Sequence, residues 1–128
     1  MAIHVFDCDD GAPLPMIAKR ARLVVWPGTG SRTANMNFVD MQPGETNVPH
    51  AHADSEDTIF ILSGSGTAHD VDNDERLPIR AGQVVHIPVG VVHAVIADQG
   101  ESIVSVGGPS PPDYVMLTRT KVWTGDPL

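Results

Sequence analysis

Cysteine, basic residues and long apolar runs are what this chain has least of, and each shortage excludes something. Cys8 is the only cysteine among 128 residues, so neither an intrachain disulfide nor a thiolate metal cluster can form. Eight Lys and Arg stand against sixteen Asp and Glu, a net charge of −8. Nucleic acid and anionic membranes are therefore not expected partners, because phosphates are held by basic side chains. No apolar run approaches the ~20 residues of a membrane helix. The opening MAIHVFDCDD is acidic and lacks the basic and apolar regions of a signal peptide, which makes the cytoplasm the expected location. Helical periodicity is nearly absent, as are a glycine-rich phosphate loop and a Ser/His/Asp arrangement in recognisable context.

What the chain does have is strand signal. Short Val- and Ile-rich runs recur at Arg22–Trp26, Asn35–Met41, Thr58–Leu62, Thr67–Val71, Gln83–Ile87, Val92–Ala97, Ser102–Val106 and Tyr114–Thr118. Most are bounded by Gly, Pro, Asn or Asp, a spacing that predicts an all-β sandwich or barrel. The length suits a single domain with its own core. Leu14–Leu23 reads as a loop leading into an edge strand, and Asn73-Asp74 as a tight hairpin turn. The segment Gly107–Asp113 breaks regular structure and feeds the last strand-like run, Tyr114–Thr118.

Two stretches carry chemistry. His50 and His52 are two apart in an extended segment, so both imidazoles point the same way. The turn signal Pro43-Gly44 lies upstream, and the acidic Asp54-Ser55-Glu56-Asp57 follows. Further on, Gly82–His93 reads GQVVHIPVGVVH, with a strand, a Pro-Val-Gly turn and a third histidine in order. Three imidazoles and a carboxylate suit Fe, Mn, Ni, Cu or Zn as divalent ions better than Ca or Mg, which prefer oxygen.

Gly44–Gly64 resembles the first cupin motif: glycine, five residues, His-x-His, three or four residues, a glutamate, six residues, glycine, with the shorter Asp57 as a departure where the strand count places the acid. Gly82–His93 resembles the second: glycine, five residues, Pro-x-Gly, two residues, histidine. The chain is identified as a member of the cupin superfamily, a small single-domain barrel over 1–128 with its motif-bearing core at about 35–106. The resemblance implies an all-β, double-stranded β-helix (jelly-roll) fold. It also implies one divalent transition metal on His50, His52, His93 and a carboxylate. Counting forward with a three-residue gap makes that acid Glu56; counting back from Gly64 makes it Asp57, the register a strand would preserve. Ala97 replaces the usual asparagine of the second motif, which is not a ligand.

The implied function is a metal-dependent enzyme acting on a small organic molecule in the barrel, with dioxygenase-type oxidoreductase chemistry foremost. A non-catalytic binding or sensing protein and a metal-dependent isomerase or lyase are the alternatives. Ile59, Ile61, Val85, Ile87 and Val95 are candidates for an apolar wall, and His86 reads as a structural strand residue or a proton-transfer group. His4 and His69 read as surface residues. A homodimer is expected, with Ile3–Phe6 and Tyr114–Thr118 as candidates for exchange.

Overall fold

The computed structural model describes residues 2–122. Nine strands and one α-helix follow in chain order. They are β1 (Ala12–Pro13), β2 (Arg20–Val25), β3 (Met36–Met41), β4 (Glu56–Ser63), β5 (Ser65–Asp70), β6 (Glu75–Arg80), β7 (Val84–Ile87), β8 (His93–Ala97), β9 (Ile103–Ser110) and α1 (Tyr114–Arg119). Six strands form one sheet in the order β1-β2-β3-β9-β4-β7, and three form the other in the order β6-β5-β8. The pairings within both sheets are antiparallel.

Alternation along each strand sends one row of side chains between the sheets. On β4, Asp57 and Ile61 are buried and Ile59 is partly buried, while Glu56, Thr58, Phe60 and Leu62 face outward. Leu14, Leu23, Trp26, Ile61 and Ile103 are the largest apolar side chains completely enclosed. Pro78 lies on β6, an edge strand, where the missing N–H breaks no interior ladder. Gly64, with φ of 84°, makes the sharp reversal between β4 and β5. A Cβ there would overlap the carbonyl oxygen of Ser102.

Three local expectations need correction. Tyr114–Thr118 is not a strand but the body of α1. A five-residue apolar run does not distinguish the two, and Asp113, after two prolines, caps the helix by accepting from the Met116 N–H at 3.0 Å. The hairpin between β5 and β6 closes over the four residues Val71–Asp74, since Asp70 pairs with Glu75. Finally, β2 lies inside its sheet, and the two-residue β1 forms the edge.

Candidate metal centre

Three separate segments deliver the site. The stretch after Gly44 runs antiparallel to β8, and His50 and His93 exchange both backbone hydrogen bonds, at 3.0 and 2.9 Å. Their side chains therefore leave the ladder side by side, with ring centroids 4.4 Å apart. His52 follows two residues on, anchored where its carbonyl accepts from the Gly90 N–H at 2.9 Å in the Pro-Val-Gly turn. Asp57 enters from β4 on the face it shares with Ile59 and Ile61. One ligand atom from each of His50, His52, Asp57 and His93 lies within 4.8 Å of the others.

Glu56 is not part of this group. It points outward from β4 and pairs with His86 Nε2 at 3.2 Å, and both side chains are about half exposed. His86 Nδ1 faces the Thr58 hydroxyl at 3.0 Å, so His86 also faces away from the cluster. Of the expected apolar wall, Ile59, Ile87 and Val95 line the cavity; Ile61 and Val85 pack in or against the core instead. His69 pairs with Asp74 at the hairpin, and His4 lies beside Phe6.

The ring nitrogens settle which atoms are offered. Nδ1 of His50 faces the Val48 carbonyl at 2.7 Å, Nδ1 of His93 the Val91 carbonyl at 2.8 Å, and Nδ1 of His52 the Asp113 carboxylate at 2.8 Å. Carbonyl and carboxylate oxygens only accept, so each Nδ1 carries the proton and each neutral ring presents an Nε2 lone pair. His52 Nε2 and His93 Nε2 both sit 3.3 Å from Asp57 Oδ2. His52 Nε2 and Asp57 Oδ1 are buried without a hydrogen-bond partner. Lone pairs gathered on a buried carboxylate repel unless a cation lies among them.

The protonation tendencies express the same demand. Burial would lower the pKa of His52, but the carboxylates of Asp57 and Asp113 outweigh it and hold the imidazole above its ordinary value. Burial would raise Asp57, yet His52 and His93 hold it well below the usual carboxylate range. For His50, burial prevails over its bond to Val48, and its pKa is lowered. A proton on His52 and a metal ion compete for one electrostatic position. The donor set, three neutral nitrogens and one carboxylate oxygen, fits a divalent transition metal.

The cluster opens on a cavity of about 60 Å³. One water needs roughly 10–15 Å³ on this scale, so the space suits a ligand of only a few heavy atoms. Ile59, Ile87 and Val95 make part of its wall; Asn37, Asn47 and Ser105 add polar groups. Gly108 keeps the β9 side open, since a Cβ there would come within 2.8 Å of Asn37 Nδ2, while a Cβ on Gly107 would overlap the Thr58 carbonyl of β4. Asn37 Oδ1 is buried without a partner. Asn47 Oδ1 accepts from the Val95 N–H at 2.8 Å, which ties the histidine segment to β8.

Sequence reasoning missed Asp113, Asn37, Asn47 and Ser105. Asp113 carried a usable signal, as a helix cap after Pro111-Pro112. The other three are ordinary polar residues until the sheets are paired.

The cupin-domain family profile matches residues 37–106, more than half of the chain. An oxalate oxidase of Hordeum vulgare is 35% identical over 74 residues, covering 53% of this chain and 33% of its own length. A germin-like protein of Oryza sativa subsp. japonica matches with the same identity and coverage. The chain thus spans about a third of the curated relatives it matches. Among solved structures, a double-stranded β-helix protein of Klebsiella pneumoniae superposes with a TM-score of 0.70 at 19% identity, over 86% of this chain and 91% of its own. A polyketide cyclase of Streptomyces resistomycificus gives 0.63 at 21%, over 82% and 81%. These structural likenesses concern the fold. By its double-stranded β-helix fold and the family match across both motifs, the chain belongs to the cupin family.

Proposed function

We propose that the protein is a metal-dependent enzyme of the dioxygenase type, acting on a small chelating organic molecule. The observation that carries this reading is the convergence of three imidazoles, each with its N–H turned outward, on Asp57 beside a small, largely apolar cavity. A divalent transition metal held by His50, His52, Asp57 and His93 would supply Lewis acidity and, if redox-active, one-electron chemistry. The chain's own residues do the rest. Asp57 balances the charge, Ile59, Ile87 and Val95 exclude water, and Asn37 offers an unpaired acceptor to a hydroxyl or N–H of the ligand. Similarity to oxalate oxidases supports oxidation of a small acid as the first chemistry to test.

A binding or sensing role is the second reading. It is favoured by the fact that, among the described residues lining the cavity, the four of the cluster are the only titratable ones. No separate proton-transfer group is offered there, which weighs against the isomerase or lyase reading. The deciding experiment loads the protein with Fe(II), Mn(II) or Zn(II) and follows oxygen uptake with a panel of small dicarboxylic, hydroxy and thiol acids. Uptake with a redox metal, lost with Zn(II) and in His93→Ala, supports the enzyme. Ligand binding without uptake for every metal supports the second reading.

We also propose a homodimer that covers the outer face of the larger sheet. Phe38, Val106, Phe60 and Val84 lie in cross-strand register there. Phe60 and Val84 are exposed, and apolar rows of this kind favour burial in an interface. Exchange of Tyr114–Thr118 is disfavoured, because Met116 and Leu117 are buried in their own barrel.

A further inference from the structure

Asp113 lies outside both motifs, and its two oxygens serve different elements. Oδ1 accepts from the Met116 N–H at 3.0 Å and closes the first turn of α1. Oδ2 accepts from His52 Nδ1 at 2.8 Å. The three imidazoles are thus oriented unequally. His50 and His93 donate to carbonyls only two residues away, so their ring orientations are set locally. His52 depends on a side chain 61 residues along the chain. A second tie runs in parallel, as the buried Ser55 donates to the Pro111 carbonyl at 2.6 Å. Beyond this junction α1 puts Met116 against the cavity and Leu117 into the core.

We propose that Asp113 is a positioning residue that couples docking of α1 to metal affinity at His52. The proposal rests on the metal-centre reading above. An imidazole that donates to a carboxylate is fixed in tautomer and ring angle, and its other nitrogen becomes the more basic donor. Reciprocity then requires that metal bound at His52 stabilise the docked helix by the same factor by which the docked helix favours metal. One side chain is both the helix cap and the outer partner of the ligand, so the two events share a group and cannot be independent.

The test separates the cap from the link. Asp113→Ser keeps a good N-cap but is too short to reach His52. Asp113→Asn keeps the size but has a single oxygen for two tasks. Zn(II) affinity, read by competition with a chelating dye, is expected to fall about 10- to 100-fold in both variants. Recorded at a pH where the ring is neutral, nitrogen-15 shifts of the metal-free protein should show His52 as the Nδ1–H tautomer in the parent and as a mixture in the variants. Amide exchange at Met116 and Leu117 should slow when Zn(II) is added to the parent and stay unchanged in His52→Ala. Parent-like Zn(II) affinity and an unchanged His52 tautomer in both variants would overturn the coupling and leave the metal centre standing. A parent protein that takes up no Zn(II) would instead overturn the metal-centre reading and the coupling with it.

Discussion

Two histidine–carboxylate contacts sit on opposite faces of β4, and they differ in everything but distance. On the outer face His86 meets Glu56 at 3.2 Å, with side chains 51% and 58% exposed. On the inner face His52 meets Asp57 at 3.3 Å, with 3% and 11%. The outer contact is a solvated surface pair of the kind worth about 0–1 kcal/mol. The inner one shares its carboxylate with His93, gains a further carboxylate at Asp113, and is nearly buried. One residue of register separates the two acids, and the alternation of the strand decides which becomes a candidate ligand.

The comparison breaks most readily at the histidines. Alanine at His50, His52 or His93 should each weaken Zn(II) binding by more than the ~10–100-fold expected for an outer partner. His86→Ala should leave it unchanged. Isothermal titration of the four variants checks this contrast. Next in size is the acid pair: Asp57→Asn should lower metal affinity, while Glu56→Gln has no effect in the same titration. The opposite ranking would mean that the forward count of the motif was the right one.

The inner pair also predicts a pH dependence. The folded pKa of His52 is raised above its ordinary value of 6.5, so its contribution to metal-free stability is complete below that value. It is lost as pH rises through the folded value. Asp57 is depressed, so its contribution is present above its ordinary 3.8 and lost as pH falls through its folded value. Metal needs the unprotonated ring. The rise in Tm caused by Zn(II) should therefore keep growing as pH rises above 6.5, through the range where the folded protein gives up the His52 proton. A rise that stays flat across that range would break the link between the proton and the metal at His52. The smallest expected effect is on the outer face, where Glu56→Gln should change the unfolding free energy by no more than ~1 kcal/mol.

Much of this was legible in the sequence, for reasons specific to certain residues. His50 and His52 announce a shared face by spacing alone. The six residues between Asp57 and Gly64 match the motif, and alternation from Ile61 back through Ile59 puts Asp57 on the inner face, although a bulge at Leu62 interrupts the pairing of β4 with β9. The outward turn of His86 follows from the same parity, since it pairs with Thr58 and not with Asp57 or Ile59. Asp113 was hidden by distance: nothing local to it mentions His52, 61 residues earlier. Asn37 and Ser105 reach the cavity only through the pairing of β3 with β9. The run Tyr114–Thr118 misled because five apolar or β-branched residues suit a strand as well as one helical turn, and Asp113 decided between them.

The proposed function depends on one metal ion held by His50, His52, Asp57 and His93. Its most direct test is the metal content, by plasma mass spectrometry, of the parent and of the His52→Ala/His93→Ala double variant after identical Zn(II) loading and desalting. About one ion per chain in the parent and none in the double variant is the predicted result. Stoichiometric metal retained by the double variant would contradict it.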